Sequence, residues 1–270
     1  MQVTSDSLFH FTTTLKNLQS ILSQKFKLSY CKEEYKLGIG SHKNYFPMVT
    51  FCDIPLSLAK EHIKKYGCYA IGLTKSWGIE HKLNPVLYVE KSSLIAKDID
   101  TNFDALKKAL DSIIKIEEKK EYSSDKDLGE LAHQMLELKD GYLNVLRYLK
   151  NYEGSLIRNE KVIDPNYRFY DEREWRFVPE WKNEGEVKGY LSEGEYLKFR
   201  GPKTSSKPMI DGISLNFKAL DIKYLIVKSN SDIPKLIRFI NATDELTKNP
   251  DEADILTTKI LTVDQLKSDF

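Results

Sequence analysis

The chain has 270 residues, of which 41% are hydrophobic, so it can form one large domain or two modest ones with a buried core. Its 41 basic and 40 acidic side chains leave a formal charge of +1, which excludes a strong overall field that attracts nucleic acid. It has no run of about 18 apolar residues and no signal-peptide layout, so we expect no membrane span and a cytoplasmic protein. Three cysteines, Cys31, Cys52 and Cys68, fit a reducing compartment.

The first elements predict a strand, a helix and a second strand. Residues 8–12 are mostly apolar and predict the first strand, and Thr14 is a predicted N-cap for a helix with an apolar face. Residues 26–30 predict the second strand. The polar stretch 31–45, which contains two glycines, predicts a loop that lies over a pocket.

The stretch from 45 to 89 contains the clearest local signals. Residues 48–52 predict a buried strand, and a helix with Pro55 in its first turn follows and ends at Gly67. Residues 68–73 and 85–89 predict two further strands. A strand, helix, strand, strand unit indicates a mixed sheet with at least one covered face.

Residues 101–152 have the apolar periodicity of two long helices, broken near 122–125. We interpret them as a helical insertion within a single α+β domain that spans residues 1–270. The insertion is either a packed lobe or an arm that binds a partner.

A strand is predicted over 167–178, where alternation places Glu172, Glu174 and Arg176 on one face. Trp175 and Phe177 then share the other face. The remaining predicted elements are strands at 194–200, 213–217 and 222–227, a helix at 232–241, and a final helical turn, strand and turn.

Few side chains are candidates for chemistry. Glu172 and Glu174 would repel each other on one strand face unless a cation or the hydroxyls of a ligand lay near them, and a carboxylate in a pocket can stabilise a developing oxocarbenium ion. His10, near a strand end, can orient a ribose or a phosphate. The alternatives are that Glu174 and Arg176 pair only with neighbours on the sheet, and that His10 is structural.

Other motifs point to packing or are missing. His62 and Tyr66 are one helical turn apart and form either a polar pair or a packing contact. No histidine has metal-site spacing to a cysteine, so we predict no metal. The sequence has no P-loop, no Rossmann fingerprint, no nucleophile elbow and no carboxylate cluster typical of a metal-dependent nuclease.

Three runs of sequence together resemble a known family. LFHFTTTLKNLQSIL, MVTFCDIPLSLAKEHIKKYGCYAIGLTKSWGIEHKLNPVLYV and DEREWRFVP are similar to the AbiGi family of bacterial abortive phage-infection proteins. That family is usually described as the antitoxin of a two-gene defence system. The resemblance therefore implies a host that sacrifices infected cells, and a cognate toxin or antitoxin as partner.

A looser similarity concerns His-Phe-Thr on the first strand, Asn-Leu on the next helix and a late-strand glutamate. This layout resembles ADP-ribosyltransferases such as the DarT-type toxins, and implies a mixed, split sheet and NAD as substrate. The resemblance places Glu174 and Glu172 in catalysis. It assigns four residues to NAD binding: His10, Thr12, Thr50 and Phe51.

Two functions follow from these similarities. The first is an enzyme that transfers ADP-ribose from NAD to a nucleic acid or protein acceptor, which requires His10 and Glu174 to line one cavity. The second is a noncatalytic antitoxin or regulatory partner of a toxin encoded by an adjacent gene.

Overall fold

The computed structural model describes residues 5–37, 40–117, 126–158, 161–180, 188–201 and 208–269. Over these residues the fold is α+β with a mixed sheet, as predicted. The chain divides into two compact units. The first comprises 1–31, 45–86 and 170–270, and the second comprises 32–44 and 87–169.

The described chain forms the following strands and helices. The strands are β1 (Ser7–Thr12), β2 (Phe26–Leu37), β3 (Gly40–Cys52), β4 (Tyr69–Thr74), β5 (Asn84–Pro85), β6 (Leu87–Val89), β7 (Leu149–Asn151), β8 (Glu153–Arg158), β9 (Lys161–Arg168), β10 (Glu174–Phe177), β11 (Met209–Leu215), β12 (Ile222–Val227) and β13 (Ile260–Thr262). The helices are α1 (Leu15–Gln24), α2 (Ala59–Tyr66), α3 (Lys75–Glu80), α4 (Leu94–Glu117), α5 (Lys126–Arg147), α6 (Glu193–Arg200), α7 (Ile233–Asn241), α8 (Asp244–Thr247), α9 (Pro250–Thr258) and α10 (Val263–Asp269).

The main sheet has the strand order β11-β2-β3-β1-β4-β12-β13, and β10 pairs with both β3 and β5. The pairs of β1 with β3 and β4, of β10 with β3, and of β12 with β4 are antiparallel. The pair of β12 and β13 is parallel, which makes the sheet mixed. β1 pairs with β3 only where Phe9 lies opposite Cys52, so the two strands are joined over a short length.

Alternation along these strands gives the sheet of the first unit two apolar faces. The first face carries the larger core, which includes Leu8, Phe51, Ile71 and Leu225, and α1 and α7 cover it with Leu18, Leu22, Leu236 and Ile240. The second face carries Phe9, Ala70 and Ile226, and α2 and α10 cover it with Ala59, Ile63, Val263 and Leu266. Both faces of the sheet are therefore buried.

Two helix ends follow local rules. The Thr14 side chain accepts a hydrogen bond from the Asn17 backbone at 3.1 Å, which confirms the predicted N-cap. Helix α2 ends at Gly67, whose φ of +119° lies in the region that favours glycine. A Cβ at Gly67 would lie 2.2 Å from the carbonyl oxygen of Thr12, so the two backbones approach closely here.

The second unit contains the two long helices. The Tyr142 hydroxyl of α5 donates to the carbonyl of Ile99 near the start of α4, and the Phe103 and Tyr142 rings stack at 5.3 Å. Contact between the start of one helix and the end of the other shows that the two predicted helices are antiparallel. Compared with the predicted range 101–152, α4 begins earlier, at Leu94, and α5 ends earlier, at Arg147. The predicted break at 122–125 lies outside the described residues.

Two stretches form a different type of element from the one predicted. The stretch 31–45 is not a loop, because β2 reaches Leu37 and β3 begins at Gly40. Its polar side chains alternate with the buried Tyr35 and Leu37, which is typical of a strand with one covered face. Residues 194–200 form helix α6, because Ser192 and Glu195 form a capping box that starts a helix.

Candidate functional site

His10 lies on the first face of the sheet among aromatic rings. Its ring centroid is 5.2 Å from that of Phe26 and 5.7 Å from that of Phe51, and its Nδ1 lies 2.9 Å from the Thr50 carbonyl oxygen. Burial lowers the pKa of the imidazole below 6.5, and the hydrogen bond to Thr50 opposes this shift only in part. Since a carbonyl oxygen can only accept, the neutral ring carries its proton on Nδ1 and donates it to Thr50.

The other residues predicted for NAD binding are partly gathered around His10. Phe51 shares the first face with it, and Thr50 reaches it through its backbone carbonyl. Thr12 is two residues further along β1, and its Oγ1 accepts a hydrogen bond from the Asn17 side chain at 3.0 Å. The four positions therefore lie on β1 and β3, and the hydrogen bonds of His10 and Thr12 are made to other groups of this chain.

Glu174 lies at the start of β10, on the second face. Its carboxylate accepts a hydrogen bond from Arg176 Nε at 2.7 Å, and both side chains are buried. This ion pair joins two residues of one strand, so it agrees with the alternative in which Glu174 pairs within the sheet. Trp175 and Phe177 pack against the larger core on the first face, so the predicted division of the side chains of this strand is confirmed for β10.

The strand register shows that His10 and Glu174 are on opposite sides of the sheet. Glu174 lies opposite Cys52 on β3, and Cys52 lies opposite Phe9 on β1. Residues directly opposite each other in antiparallel strands point to the same face, whereas neighbours along a strand alternate. Glu174 therefore shares a face with Phe9, and His10 points to the other. The expectation that His10 and Glu174 line one cavity is wrong.

Glu172 is not on the strand, although the sequence placed it there. The predicted strand 167–178 is interrupted by a 3-10 turn, Phe169–Glu172, and Arg173 has a φ of +46°. Strand alternation therefore does not relate Glu172 to Glu174. Glu172 is nevertheless buried, and its carboxylate accepts a hydrogen bond from the hydroxyl of Tyr66 at the end of α2.

Helix α2 contributes His62 and Tyr66 to the second face of the sheet. The His62 ring stacks on Phe11 and on Tyr66, with centroid distances of 5.8 Å in both cases. The packing interpretation of His62 and Tyr66 is therefore confirmed. The hydrogen bond from Tyr66 to Glu172 has no local sequence signal, because the two residues are 106 positions apart.

The second-face cluster is defined as the buried His62, Glu172, Glu174 and Arg176 together with the partly buried Tyr66. Two carboxylates, a guanidinium, a phenol and an imidazole could exchange protons or hold an anion. However, Glu172 and Glu174 each accept a hydrogen bond from within the cluster, which is typical of a structural network. Among the described residues, no group of three or more His, Cys, Asp or Glu side chains could hold a metal ion.

Lowering the pH is expected to destabilise the protein through His62. Burial, followed by the nearby charge of Lys65, lowers the pKa of His62 from 6.5 to about 4. Between these values the unfolded chain binds a proton that the folded chain does not, so the free energy of unfolding falls as the pH falls below about 6.5. Melting temperatures of the wild type and His62→Phe at pH 7 and pH 5 test this. The variant should lose less stability on acidification, and an equal loss in both proteins would contradict it.

The second unit contains a pair that the sequence analysis did not find. His42 Nε2 lies 2.7 Å from Asp100 Oδ1, and the Tyr35 ring stacks on His42 at 5.7 Å. The two side chains are partly exposed. Since 58 residues separate them, no local motif could indicate this contact.

Comparisons with known proteins point to one family. A family model described as "Putative abortive phage resistance protein AbiGi, antitoxin" matches residues 24–228. The "Abortive phage resistance protein AbiGi" of Lactococcus lactis subsp. cremoris is 28% identical over 238 residues, which cover 84% of this chain and 89% of that protein. No solved structure matches the chain. The resemblance stated from the sequence is therefore confirmed for AbiGi, and the similarity to ADP-ribosyltransferases has no support from a solved structure.

Proposed function

Because the chain belongs to the AbiGi family of abortive phage resistance proteins, we propose that it is an antitoxin that acts by binding a toxin encoded by an adjacent gene. In this function the protein needs a stable fold and a surface that fits the toxin. It needs no reaction centre. None of the described helices is both long and apolar enough to cross a membrane.

One observation favours binding over catalysis. The two groups that a transferase site requires, the His10 imidazole and the Glu174 carboxylate, point to opposite faces of the sheet. Each group also makes a hydrogen bond within the protein, His10 to the Thr50 carbonyl and Glu174 to Arg176. A general base or an electrostatic stabiliser has to lie within hydrogen-bond reach of the reacting atoms, so the placement of these two groups on opposite faces favours binding over catalysis.

Co-expression with the adjacent gene tests the proposal. Expression of that gene alone is expected to stop growth, and simultaneous expression of this chain is expected to restore it, measured as colony counts. His10→Gln serves as a matched variant, because glutamine keeps an N–H donor that can reach the Thr50 carbonyl. It should restore growth as the wild type does. Toxicity of this chain when it is expressed alone would contradict the antitoxin function.

ADP-ribosyl transfer from NAD is the second candidate, and the buried carboxylates Glu172 and Glu174 are the observation in its favour. Incubation of the purified protein and cell extract with labelled NAD separates the two functions. We expect no label on nucleic acid or protein. Label transferred by the wild type and not by Glu174→Gln, with both proteins folded, would favour the transferase.

A further inference from the structure

Helix α5 exposes a regular row of apolar side chains. Leu131, Leu138 and Val145 are 45%, 57% and 42% exposed, and successive members are seven residues apart. Seven residues are nearly two helical turns, so the row follows one line along the helix for about 21 Å. The buried residues of α5, which are Ala132, Leu143, Leu146 and Arg147, lie to one side of this line. We name the three exposed side chains the α5 stripe.

One border of the stripe is acidic. At 100° per residue, Asp127, Glu130 and Glu137 lie on the side of the stripe away from the buried residues of α5, and all three are exposed. Exposed acidic side chains beside an apolar row are complementary to lysine or arginine on a partner.

A glycine lies on the same border. Gly141 is in the helix between Leu138 and Val145, and a Cβ there would meet nothing within 4 Å. Glycine in a helix interior is destabilising relative to alanine. Packing among the residues that the structure describes does not require a glycine here, whereas a missing side chain lets the backbone of another helix approach closely.

From these observations we infer that the α5 stripe is the docking face for one amphipathic helix of the partner toxin, with apolar side chains that cover the stripe and basic side chains along its acidic border. This inference rests on the proposed antitoxin function. Apolar residues at a spacing of seven are the pattern with which one helix packs along another. A row about 21 Å long matches a partner helix of about four turns.

Leu138→Asp tests the inference, because it places a charge at the centre of the stripe. Its matched control is Leu136→Asp, which introduces the same charge at a position 38% exposed on the same helix, about 160° around from Leu138. Binding of the full-length chain to the purified product of the adjacent gene is measured by titration, and circular dichroism checks the fold of both variants.

We expect Leu138→Asp to weaken binding by at least about tenfold and Leu136→Asp to change it by less than about threefold. Charge reversal at Glu130 and Glu137 to lysine should also weaken binding, with a smaller loss at high salt. Equal binding by the wild type and Leu138→Asp, or equal losses in the two aspartate variants, would overturn the inference.

Two further outcomes keep this inference separate from the proposed function. If the wild type binds and neutralises the product of the adjacent gene and Leu138→Asp does so equally well, the docking face is wrong and the antitoxin function stands. If the wild type does not bind at all, the antitoxin function itself fails. A wild-type dimer that Leu138→Asp converts to a monomer with full toxin binding would identify a second copy as the occupant and overturn the inference.

Discussion

Replacement of Glu174 by alanine is expected to lower the free energy of unfolding by about 3–5 kcal/mol. The change removes the carboxylate that accepts the Arg176 Nε hydrogen bond at 2.7 Å. Arg176 is completely buried, so its guanidinium cannot regain hydration in the folded protein. Urea denaturation followed by circular dichroism measures the loss.

Two controls show whether the effect comes from the buried charge. Glu180→Ala removes an exposed carboxylate that pairs with Lys82 at 2.6 Å, and it should change stability little because water screens the pair. The double variant Glu174→Leu, Arg176→Met removes both charges together, and should be more stable than Glu174→Ala. If Glu174→Ala were as stable as the wild type, the second-face cluster would not be needed to stabilise the fold.

Gly67→Ala is expected to destabilise the protein by about 2–4 kcal/mol. Gly67 has a φ of +119°, which is strained for any residue with a side chain. The added Cβ would also lie 2.2 Å from the Thr12 carbonyl oxygen and 2.8 Å from the Thr13 Cα. Both atoms belong to the backbone, so α2 must move away from the end of β1 to make room. The thermal midpoint measures the effect.

Gly194→Ala is the control for this substitution. Gly194 lies in helix α6, and a Cβ there would meet nothing within 4 Å. We expect this variant to be as stable as the wild type or slightly more stable, because alanine favours a helix. Equal midpoints for Gly67→Ala and the wild type would contradict the close approach of α2 and β1.

Local signals explain which elements the sequence predicts. The run 222–227 is apolar and β-branched, and the strand Ile222–Val227 forms over the predicted residues. The loop prediction for 31–45 was wrong because polar residues and glycines outnumber apolar ones there, so composition concealed the alternation around Tyr35 and Leu37. Residues 194–200 were predicted to form a short strand, but the capping box at Ser192 starts a helix there.

The candidate site depends on information that no single stretch contains. Alternation correctly separates Trp175 and Phe177 from Glu174 and Arg176 within β10. It does not say which face of β1 meets which face of β10, because that depends on the register of both strands with β3. A shift of one residue in either register would move Glu174 to the face of His10. The candidate site residues could therefore be chosen from the sequence, but the faces of the sheet on which they lie could not.

The most direct test of the central claim, that this protein acts by binding and not by catalysis, is a titration of the purified chain with the purified product of the adjacent gene in the absence of NAD. We predict a saturable complex with a Kd below about 1 µM. No complex at concentrations well above that value, or a complex that forms only when NAD is added, would contradict the account.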